Sequence, residues 1–487
     1  MSKLSWSIKA CSVVLSLAGI VTLRGQTVQS PPPTLTFTTL FSFGGLDSGY
    51  WPVAPLVQAT DGDLYGTTPS GGKGSDSCVS GCGVAFKITT TGAGARLHNF
   101  SFNEGYQPRT ALIQSADGNF YGTAVAGGVG GFGTVFKITP DGMVTRLYSF
   151  CSQHSDCTNG STPEAPLIQA SDGNFYGTTS DADISSPNGT IFKITPSGLT
   201  TLFSFDTVDG SAPTGALIQA SDGEFYGTTS EGGTNGYGTV YKMTSDGLVT
   251  TLYNFDKTDG GHPQAGLVQG VDGNFYGTTF QGGGGNICQL GCGTVFKITP
   301  NGALTSLHIF AFTDGAYPSG VVQATDGNLY GTTNEGGAND GGTVFSISTS
   351  GALTTLYNFC SQYIEHICTD GAGSTAALAQ DTDGSFYGTT EIGGAKNRGA
   401  IFNLSIGLDP FVETNPASGT AGTTINILGT NLTGATGVTF NGTAAAFTVT
   451  SSSQITTTVP PGATTGTVQV VTPRGTLSSN VPFQVLP

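Results

Sequence analysis

Seven aspartates recur in one phrase, and their carboxylates are the first groups in this sequence that could do chemistry. Each stands in an Asp-Gly pair that leads into Phe-Tyr-Gly-Thr or Leu-Tyr-Gly-Thr; they are Asp61, Asp117, Asp172, Asp222, Asp272, Asp326 and Asp383. Carboxylates can bind calcium, but Asp-Gly is also a strong signal for a hairpin turn that the Asp side chain caps. The turn interpretation is simpler. We therefore predict scaffold residues, no metal site and no cofactor, with calcium as an unsupported alternative.

Cysteines are the second group of residues that could do chemistry. Apart from Cys11 they form four close pairs, Cys78/Cys82, Cys151/Cys157, Cys288/Cys292 and Cys360/Cys368. Two of the pairs enclose a His, which makes zinc the alternative, but a zinc site normally needs four ligands at recognised spacings. An even number of cysteines in an exported chain favours disulfides, because export leads to an oxidising compartment. We predict four local disulfides.

A third pattern, Gly-x-x-Pro, carries aromatic residues. It occurs six times, as in "GYWP" and "GYQP", and a seventh copy is "GAGS". The variable positions supply the candidate ligand-binding residues Tyr50, Trp51, Tyr106, Gln107, His262 and Tyr317. Exposed aromatic faces with polar edges suit sugars or peptides. Acids precede the Gly in several copies (Glu104, Asp209, Asp259, Asp314, Asp370), which would suit a cation. The alternative is that the aromatics pack on neighbouring loops and the acids cap turns.

Catalytic signals are few. The five histidines (His98, His154, His262, His308, His366) are not expected to share a repeat position, and none lies in a nucleophile or metal motif. A pair of carboxylates from different repeats could cleave glycans, but sequence spacing cannot reveal such a pair. We predict no catalytic residues, and an enzyme is the less favoured interpretation.

The elements that must position these residues form seven repeats. The Tyr of the repeated phrase falls at 65, 121, 176, 226, 276, 330 and 387. Each interval holds four strand candidates, which we name A ("ALIQA"), B ("FYGTT"), C ("GTVFKIT") and D ("LTTLFSF"). Asp-Gly joins A to B, and Pro/Gly turns join C to D. Four-stranded antiparallel units repeated in this way are typical of a seven-bladed β-propeller.

The ends of the repeat region indicate a closed ring. The chain opens with a D-type strand, "LTFTTLFSF" (35–43), before any A strand, and the seventh repeat ends with a C-type strand, "GAIFNLS" (399–405). We predict that the N-terminal strand completes the last blade, because this leaves no free sheet edge at the seam.

Spacings distinguish two faces of the ring. From the Gln of strand A to the Tyr of strand B there are 7 residues in every repeat. The B–C and D–A connections vary in length and contain all four cysteine pairs. Successive strands reverse direction, so the A–B and C–D turns share one face, the turn face, and the B–C and D–A loops share the other, the loop face. Function is usually carried by variable loops on a constant scaffold.

The N-terminus indicates export. Residues 1–25 have a basic start and an apolar stretch too short for a comfortable membrane span, which predicts a signal peptide; an uncleaved anchor is the alternative. Their removal would leave 13 basic and 32 acidic residues, a net charge of −19. Such an acidic chain repels phosphate backbones, so we predict no nucleic-acid partner. No other segment is apolar enough to cross a membrane, so we predict no transmembrane segment in the mature chain. We also predict a monomer.

Residues 409–487 change character. Short alternating strands separated by Gly, Pro and Asn turns have the length and rhythm of a small immunoglobulin-like β-sandwich, without the Cys…Trp…Cys signature of antibody domains.

Both parts resemble known families. The ordered phrases "DGNFYGTT", "GTVFKITP" and "LTTLFSF" across 35–405 resemble the GloVer tandem repeat of bacterial secreted choice-of-anchor proteins. That resemblance implies export and a surface or extracellular role, but no agreed activity. Residues 409–487 resemble an IPT/TIG domain through Pro416, Gly419, Gly422, Gly429, Asn431, Phe440, Gly442, Pro460 and Gly466. This family implies an Ig-like sandwich used for spacing or interaction.

The sequence therefore predicts an all-β bacterial protein, secreted or held at the cell surface, with a seven-bladed propeller and an Ig-like domain. The favoured function is non-enzymatic binding or adhesion, with extracellular glycan, another cell-envelope polymer or a protein as the partner on the loop face. The alternatives are a polysaccharide-active lyase or hydrolase on the same face, and a structural spacer.

Overall fold

A computed structural model describes residues 35–75, 77–152, 157–181, 188–284 and 287–486. These residues form an all-β structure, in which seven four-stranded antiparallel sheets, the blades, make a propeller-like ring. The predicted signal peptide, 1–25, lies outside the described residues. Within the described ranges, no helix has the length and hydrophobicity to cross a membrane.

The strands of the ring follow the A–B–C–D order of the repeats. After β1 (Thr36–Ser42), blade 1 holds β2 (Val57–Gln58), β3 (Leu64–Thr68), β4 (Val84–Ile88) and β5 (Gly94–Asn99); blade 2 holds β6 (Ile113–Gln114), β7 (Phe120–Ala124), β8 (Thr134–Ile138) and β9 (Val144–Ser149). Blade 3 holds β10 (Ile168–Gln169), β11 (Phe175–Thr179), β12 (Thr190–Thr195) and β13 (Gly198–Ser204); blade 4 holds β14 (Ile218–Gln219), β15 (Phe225–Thr229), β16 (Thr239–Met243) and β17 (Val249–Asn254). Blade 5 holds β18 (Val268–Gln269), β19 (Phe275–Thr279), β20 (Thr294–Ile298) and β21 (Leu304–Ile309); blade 6 holds β22 (Ala316–Gln323), β23 (Leu329–Glu335), β24 (Thr343–Ile347) and β25 (Leu353–Asn358). A hairpin of β26 (Tyr363–Ile364) and β27 (Ile367–Cys368) precedes blade 7, which holds β28 (Ala379–Gln380), β29 (Phe386–Thr390) and β30 (Ala400–Ser405).

The N-terminal strand completes blade 7, as predicted. Strand β1 pairs antiparallel with β30, from Thr36 opposite Ser405 to Ser42 opposite Ala400. The sheet order is β1-β30-β29-β28, so the first and last strands of the repeat region share one sheet. The chain thereby closes the ring on itself.

Aromatic side chains join each blade to the next. In all seven cases the last Phe of strand D meets the strand C aromatic of the following blade edge to face, with ring centroids 4.9–5.3 Å apart. At the seam, Phe43 follows β1 and packs on Phe86 of blade 1. In five blades the strand B Tyr packs on the strand B Phe of the next blade, with ring centroids 4.0–4.5 Å apart; four of these pairs are stacked and Tyr176–Phe225 is tilted. The core therefore lies between blades.

The Gly of "FYGTT" is required by this packing. A Cβ at Gly277 would lie 2.6 Å from the Phe296 ring and 2.8 Å from Leu267. The six equivalent glycines face similarly close contacts, because the strand C aromatic lies over the backbone of strand B.

The strand A glutamines form a polar link between blades on the turn face. In five blades the Gln side-chain oxygen accepts a hydrogen bond from the backbone N–H just before the Asp-Gly turn of the preceding blade, at 2.8–3.1 Å; the pairs are Gln58/Thr382, Gln114/Thr60, Gln219/Ser171, Gln269/Ser221 and Gln323/Val271. In four blades its NH₂ group donates to the Gly carbonyl of its own turn. Gln114, Gln219 and Gln323 make both contacts.

The Asp-Gly turns are capped by their own aspartates, as predicted. In six blades the strand B Tyr hydroxyl donates to the Asp at 2.7–2.9 Å. The Asp also accepts the backbone N–H two residues further on, as Asp172 does from Asn174 at 3.0 Å. Burial would raise the pKa of Asp172, but hydrogen bonds from Lys193, Asn174 and Tyr176 lower it to about 2.

Residues 409–486 form two four-stranded sheets and one short parallel pairing. Their strands are β31 (Val412–Asn415), β32 (Ser418–Gly419), β33 (Thr424–Gly429), β34 (Gly437–Phe440), β35 (Thr443–Ala444), β36 (Phe447–Val449), β37 (Gln454–Thr458), β38 (Val468–Thr472), β39 (Gly475–Ser478) and β40 (Gln484–Val485). The sheet orders are β31-β33-β37-β36 and β35-β34-β38-β39, and β32 pairs with β40. One hydrophobic cluster takes side chains from both sheets, including Ile427, Ile455, Val438 and Val470.

This C-terminal unit contacts the turn face of the ring at four blades. The contacts are Ser453 Oγ to the Thr60 carbonyl of blade 1, Asn415 Nδ2 to the Gln114 carbonyl of blade 2, Gln484 Nε2 to the Ser221 carbonyl of blade 4, and Phe411 N to the Thr382 carbonyl of blade 7. Blades 7 and 1 flank the seam, and blade 4 lies across the ring from them. The C-terminal unit therefore extends across the turn face.

A buried carboxyl lies where the seam meets the C-terminal unit. Asp381 is 2% exposed. Its Oδ1 accepts the Gln58 side-chain amide at 2.8 Å and the Asp383 N–H at 3.1 Å. Burial raises the pKa of Asp381 to about 7, and the nearby charges of Asp383 and Glu413 act in the same direction.

Deleting residues 35–43 should leave β30 as an open sheet edge and remove Phe43 from its buried site against Phe86. We expect a large fall in melting temperature and self-association through the open edge. Thermal unfolding and light scattering after size-exclusion chromatography would measure both. Deletion of residues 26–34 is a control of equal length. A monomeric Δ35–43 protein with unchanged melting temperature would contradict the closure by β1.

Stability should fall as the pH rises from about 4 to about 7. Because the Asp381 pKa is raised from 3.8 to about 7, the folded state keeps this proton in that window while the unfolded state releases it. The free energy of unfolding should fall by an amount on the order of 4 kcal/mol across this window and should level off above about pH 7. Asp381→Asn keeps the Oδ1 acceptor and should flatten the profile, whereas Asp246→Asn in the exposed β16–β17 turn should not. Urea unfolding at several pH values tests this, and an equal slope in wild type and Asp381→Asn would refute it.

Candidate functional site

The Gly-x-x-Pro motif lies on the loop face and bonds each blade to the one before it. The backbone N–H of the second variable residue donates to a backbone carbonyl of the previous blade, at 2.8–3.1 Å. That carbonyl belongs to the residue just before the first Gly of strand C. We call each such pair of residues an inter-blade notch. The seven notches are Arg398/Trp51, Cys82/Gln107, Phe132/Thr162, Asn188/Ala212, Tyr237/His262, Cys292/Tyr317 and Gly341/Gly373.

The donor residue of every notch has left-handed backbone geometry. Its φ lies between 51° and 67° at Trp51, Gln107, Thr162, Ala212, His262, Tyr317 and Gly373. Six of these residues are not glycine, and each is followed by Pro. The Pro ring packs where a Cβ on the strand C Gly would be; a Cβ at Gly399, for example, would lie 2.5 Å from Pro52 Cδ. The motif is thus a connection between blades, in addition to any binding role.

The two variable positions of the motif point in different directions. The first position pairs with the end of strand B, as Tyr50 does with Ser70 and Tyr106 with Ala126. Tyr50 is 6% exposed, and its hydroxyl donates to the Ser80 carbonyl at 2.9 Å. Tyr106 is half-buried near Phe102. These two tyrosines therefore support the loops more than they offer a surface.

The second position carries Trp51, which is 41% exposed, and Gln107, which is half-buried. His262 is half-buried, with Nδ1 2.9 Å from the Ser230 carbonyl and its ring edge to face with Tyr237 at 5.8 Å. Tyr317 stacks on Phe280 at 4.9 Å. The four candidates at this position occupy four different notches, and ligand binding by them stays a prediction.

Arg398 is a residue that the sequence did not single out. It lies just before Gly399 in the B–C loop of blade 7, and its guanidinium carbon is 4.8 Å above the Tyr50 ring centroid. The side chain is exposed, and no ion pair joins it to an acid within the described residues. Aligning the repeats on the strand C Gly would have placed it beside Trp51.

Two charged side chains follow the motif's Pro at the inner edge of the ring. Strand A forms this edge, since a Cβ at Gly320 would lie 3.2–3.3 Å from Ala265 and Ala377 of both neighbouring blades. Glu164 lies there, and the positive charge of Arg109 in the preceding blade acts on the Glu164 carboxylate. Burial raises the pKa of the Glu164 carboxyl, while a hydrogen bond with Ser180 and the charge of Arg109 oppose that shift.

The acids before the motif's Gly are turn caps in several blades, which matches the alternative interpretation. Glu104 accepts the Ser101 N–H at 2.8 Å, and Asp314 accepts the Ala311 N–H at 2.9 Å. Burial would raise the pKa of Glu104, but the hydrogen bonds from Ser101 and His98 hold it below its usual value.

The expectation that no histidines share a repeat position is wrong. His98 and His308 occupy the same place in strand D, two residues before its last Phe. Their Nε2 atoms lie 3.1 Å from Glu104 and 2.9 Å from Asp314. In blades 4 and 6 a Tyr takes the same place and donates to Asp259 or Asp370. In these four blades the ring at this position of strand D contacts an acid of the D–A loop.

The four predicted disulfides are all present. They join Cys78 to Cys82, Cys151 to Cys157, Cys288 to Cys292, and Cys360 to Cys368, all in loops of the loop face. Two of these cysteines, Cys82 and Cys292, also accept the backbone bond of a notch. The bridges thus stabilise loops that take part in the contacts between blades. Within the described residues, no cluster of three or more His, Cys, Asp or Glu side chains is arranged to hold a metal ion.

Known proteins with similar sequence or structure were found in two of three comparisons. The model of the Gloeobacter/Verrucomicrobia repeat matches residues 17–155, 74–290 and 287–472. No curated protein matches the sequence. A fungal alcohol oxidase of the AA5 family, solved in complex with copper, is 13% identical, with 94% of this chain and 100% of that chain covered and a TM-score of 0.52. A gluconolactonase from Xanthomonas campestris is 15% identical over 63% and 92% of the two chains, with a TM-score of 0.38. The similarity to the alcohol oxidase is one of fold alone.

The left-handed backbone at the notches gives a test of their architectural role. Ala212 has φ 51°, where an L-residue is strained, so Ala212→Gly should leave stability within about 0.5 kcal/mol or raise it. Ala216→Gly in the same segment gains no such relief and should cost about 0.5–1 kcal/mol. Urea unfolding of the two variants tests this. An equal loss in both would contradict the assigned backbone strain.

Proposed function

The chain belongs to the Gloeobacter/Verrucomicrobia repeat family, and on that premise we propose that it is a secreted or cell-surface binding or adhesion protein without enzymatic activity. Its loop face would recognise glycan or another cell-envelope polymer. In this proposal residues 1–25 are a signal peptide, residues 35–405 form a seven-bladed β-propeller, and residues 409–487 are an Ig-like domain of the IPT/TIG type that serves for spacing or interaction.

The observation that carries this proposal is the difference between the two faces. The turn face has constant turns, and the C-terminal unit contacts it at blades 1, 2, 4 and 7. The loop face has the variable loops and the disulfides. A partner would therefore meet the loop face without displacing part of the chain.

Exposed apolar side chains are concentrated on the loop face. Ten lie in its B–C and D–A loops: Leu46, Trp51, Val79, Val129, Val208, Ile287, Leu290, Tyr363, Ile364 and Ile392. Val79, inside the loop closed by Cys78 and Cys82, is 87% exposed. Disulfides limit the freedom of such loops, so less entropy is lost on binding. Apolar groups on fixed loops with polar surroundings favour a contact surface for a partner.

Binding should depend on Trp51. A glycan array, followed by calorimetry on any glycan retained, should show binding by the full chain and at least tenfold weaker binding by Trp51→Ala. Val271→Ala is the control, because Val271 is exposed on the turn face. Retention of no polymer would refute glycan recognition. Release of shortened products from a bound polysaccharide would instead favour the lyase or hydrolase alternative.

A further inference from the structure

The seven notches share one backbone arrangement but differ in side chains, so they can be compared directly. In most of them at least one side chain is small or is a disulfide cysteine, or the two side chains of the notch pack on each other, as Tyr237 and His262 do. The notch between blades 7 and 1 differs, because it combines an exposed indole, Trp51, with an exposed guanidinium, Arg398.

Tyr50 fixes the relative position of these two side chains. The Trp51 ring lies edge to face on Tyr50, with centroids 4.9 Å apart at 90°. Arg398 lies 4.8 Å from the same ring centroid, within the range of a cation–π contact. Tyr50 itself is buried and bonded to the Ser80 carbonyl. The indole and the guanidinium therefore both pack on one buried, hydrogen-bonded ring.

The backbone of the notch is equally fixed. Trp51 N–H donates to the Arg398 carbonyl at 3.0 Å, and Pro52 packs on Gly399. A binding group held in this way loses little conformational freedom when a ligand arrives. The arrangement is therefore pre-organised on both sides of the seam.

The Arg398 guanidinium forms no ion pair with an acid in the described part of the protein. Five Lys and Arg side chains of the described residues form ion pairs, among them Arg96 with Asp47 and Lys193 with Asp172. Within the described residues no carboxylate lies within 4.0 Å of the Arg398 guanidinium, although the chain has 32 acids and 16 Lys and Arg residues. Its five N–H donors are thus available to a ligand.

We propose that Trp51 and Arg398 form a subsite for a carboxylate-bearing sugar, a uronate residue of an acidic polysaccharide. The apolar face of a pyranose ring stacks on an exposed indole, and a guanidinium binds a carboxylate through two parallel hydrogen bonds. A neutral sugar would use the indole alone. This inference rests on the proposed function, because it names the ligand class of the same loop face.

The acidic character of the chain does not oppose this assignment at short range. Charges farther apart than about 8 Å are largely screened at physiological ionic strength. A carboxylate in contact with Arg398 therefore responds mainly to that guanidinium and to other charges within this distance. Added salt should weaken the binding of an acidic ligand and leave that of a neutral ligand almost unchanged.

The test uses the chain without residues 1–25, the proposed signal peptide, because this removes Trp6 and leaves Trp51 as the only tryptophan of the remaining sequence. Fluorescence then reports on Trp51 alone. The probes are oligomers of galacturonate, mannuronate and glucuronate, together with fully methyl-esterified oligogalacturonate, which keeps the ring but loses the charge. We expect at least one uronate to change the fluorescence. The ester should bind at least tenfold more weakly than galacturonate if galacturonate is that ligand.

Arg398→Gln should weaken binding of the acidic oligomer at least tenfold and leave binding of the ester unchanged. Arg146→Gln, an exposed arginine of strand β9 whose guanidinium contacts the Asn103 carbonyl, is the matched control and should change neither. Equal melting temperatures of the two variants would show that the loss is local.

The possible failures are distinguishable. If acid and ester bind equally well, or if Arg398→Gln weakens both alike, the uronate subsite is wrong while glycan binding by the loop face stands. The same conclusion follows if other glycans bind and no uronate does. If the full chain binds no glycan at all, the proposed function and this inference both fail.

Discussion

The constraint on which the structure depends is that no blade can bury its own faces. A four-stranded sheet exposes two sides, and here each side is covered by the neighbouring blade. The last Phe of every strand D lies against the strand C aromatic of the next blade, seven times around the ring. An open array would leave aromatic surface uncovered at both ends, so the ring must close, and β1 closes it by contributing Phe43 to blade 1.

Much of this could be predicted from the sequence, because the signals are local and repeated. Asp-Gly turns, Pro/Gly turns and strand spacing give the blades, and the unmatched D-type strand at the N-terminus gives the closure. The disulfides followed from cysteine pairs a few residues apart. Except for the closure, which the count of strand types indicates, these features depend on neighbours in the chain, which the sequence displays directly.

The contacts between blades were not predicted, because they join residues far apart in the sequence. The glutamine of strand A looked like a spacing marker, yet Gln58 bonds to Thr382 across the seam. The Gly-x-x-Pro motif looked like a binding loop, yet its backbone links neighbouring blades. Arg398 lies next to Tyr50 only because the ring closes. Contact between the C-terminal unit and the turn face had no local signal at all.

The notch shows how one motif can serve both architecture and recognition. Its backbone N–H, its left-handed φ and the following Pro are used to join blades, and none of these requires a particular side chain at the donor position. Among the seven repeats that position holds Trp, Gln, Thr, Ala, His, Tyr and Gly. The same backbone bond forms in every case, so the side chain there can change without loss of the ring. Specificity can therefore be set one notch at a time, with the adjacent residue on the preceding blade as the second determinant.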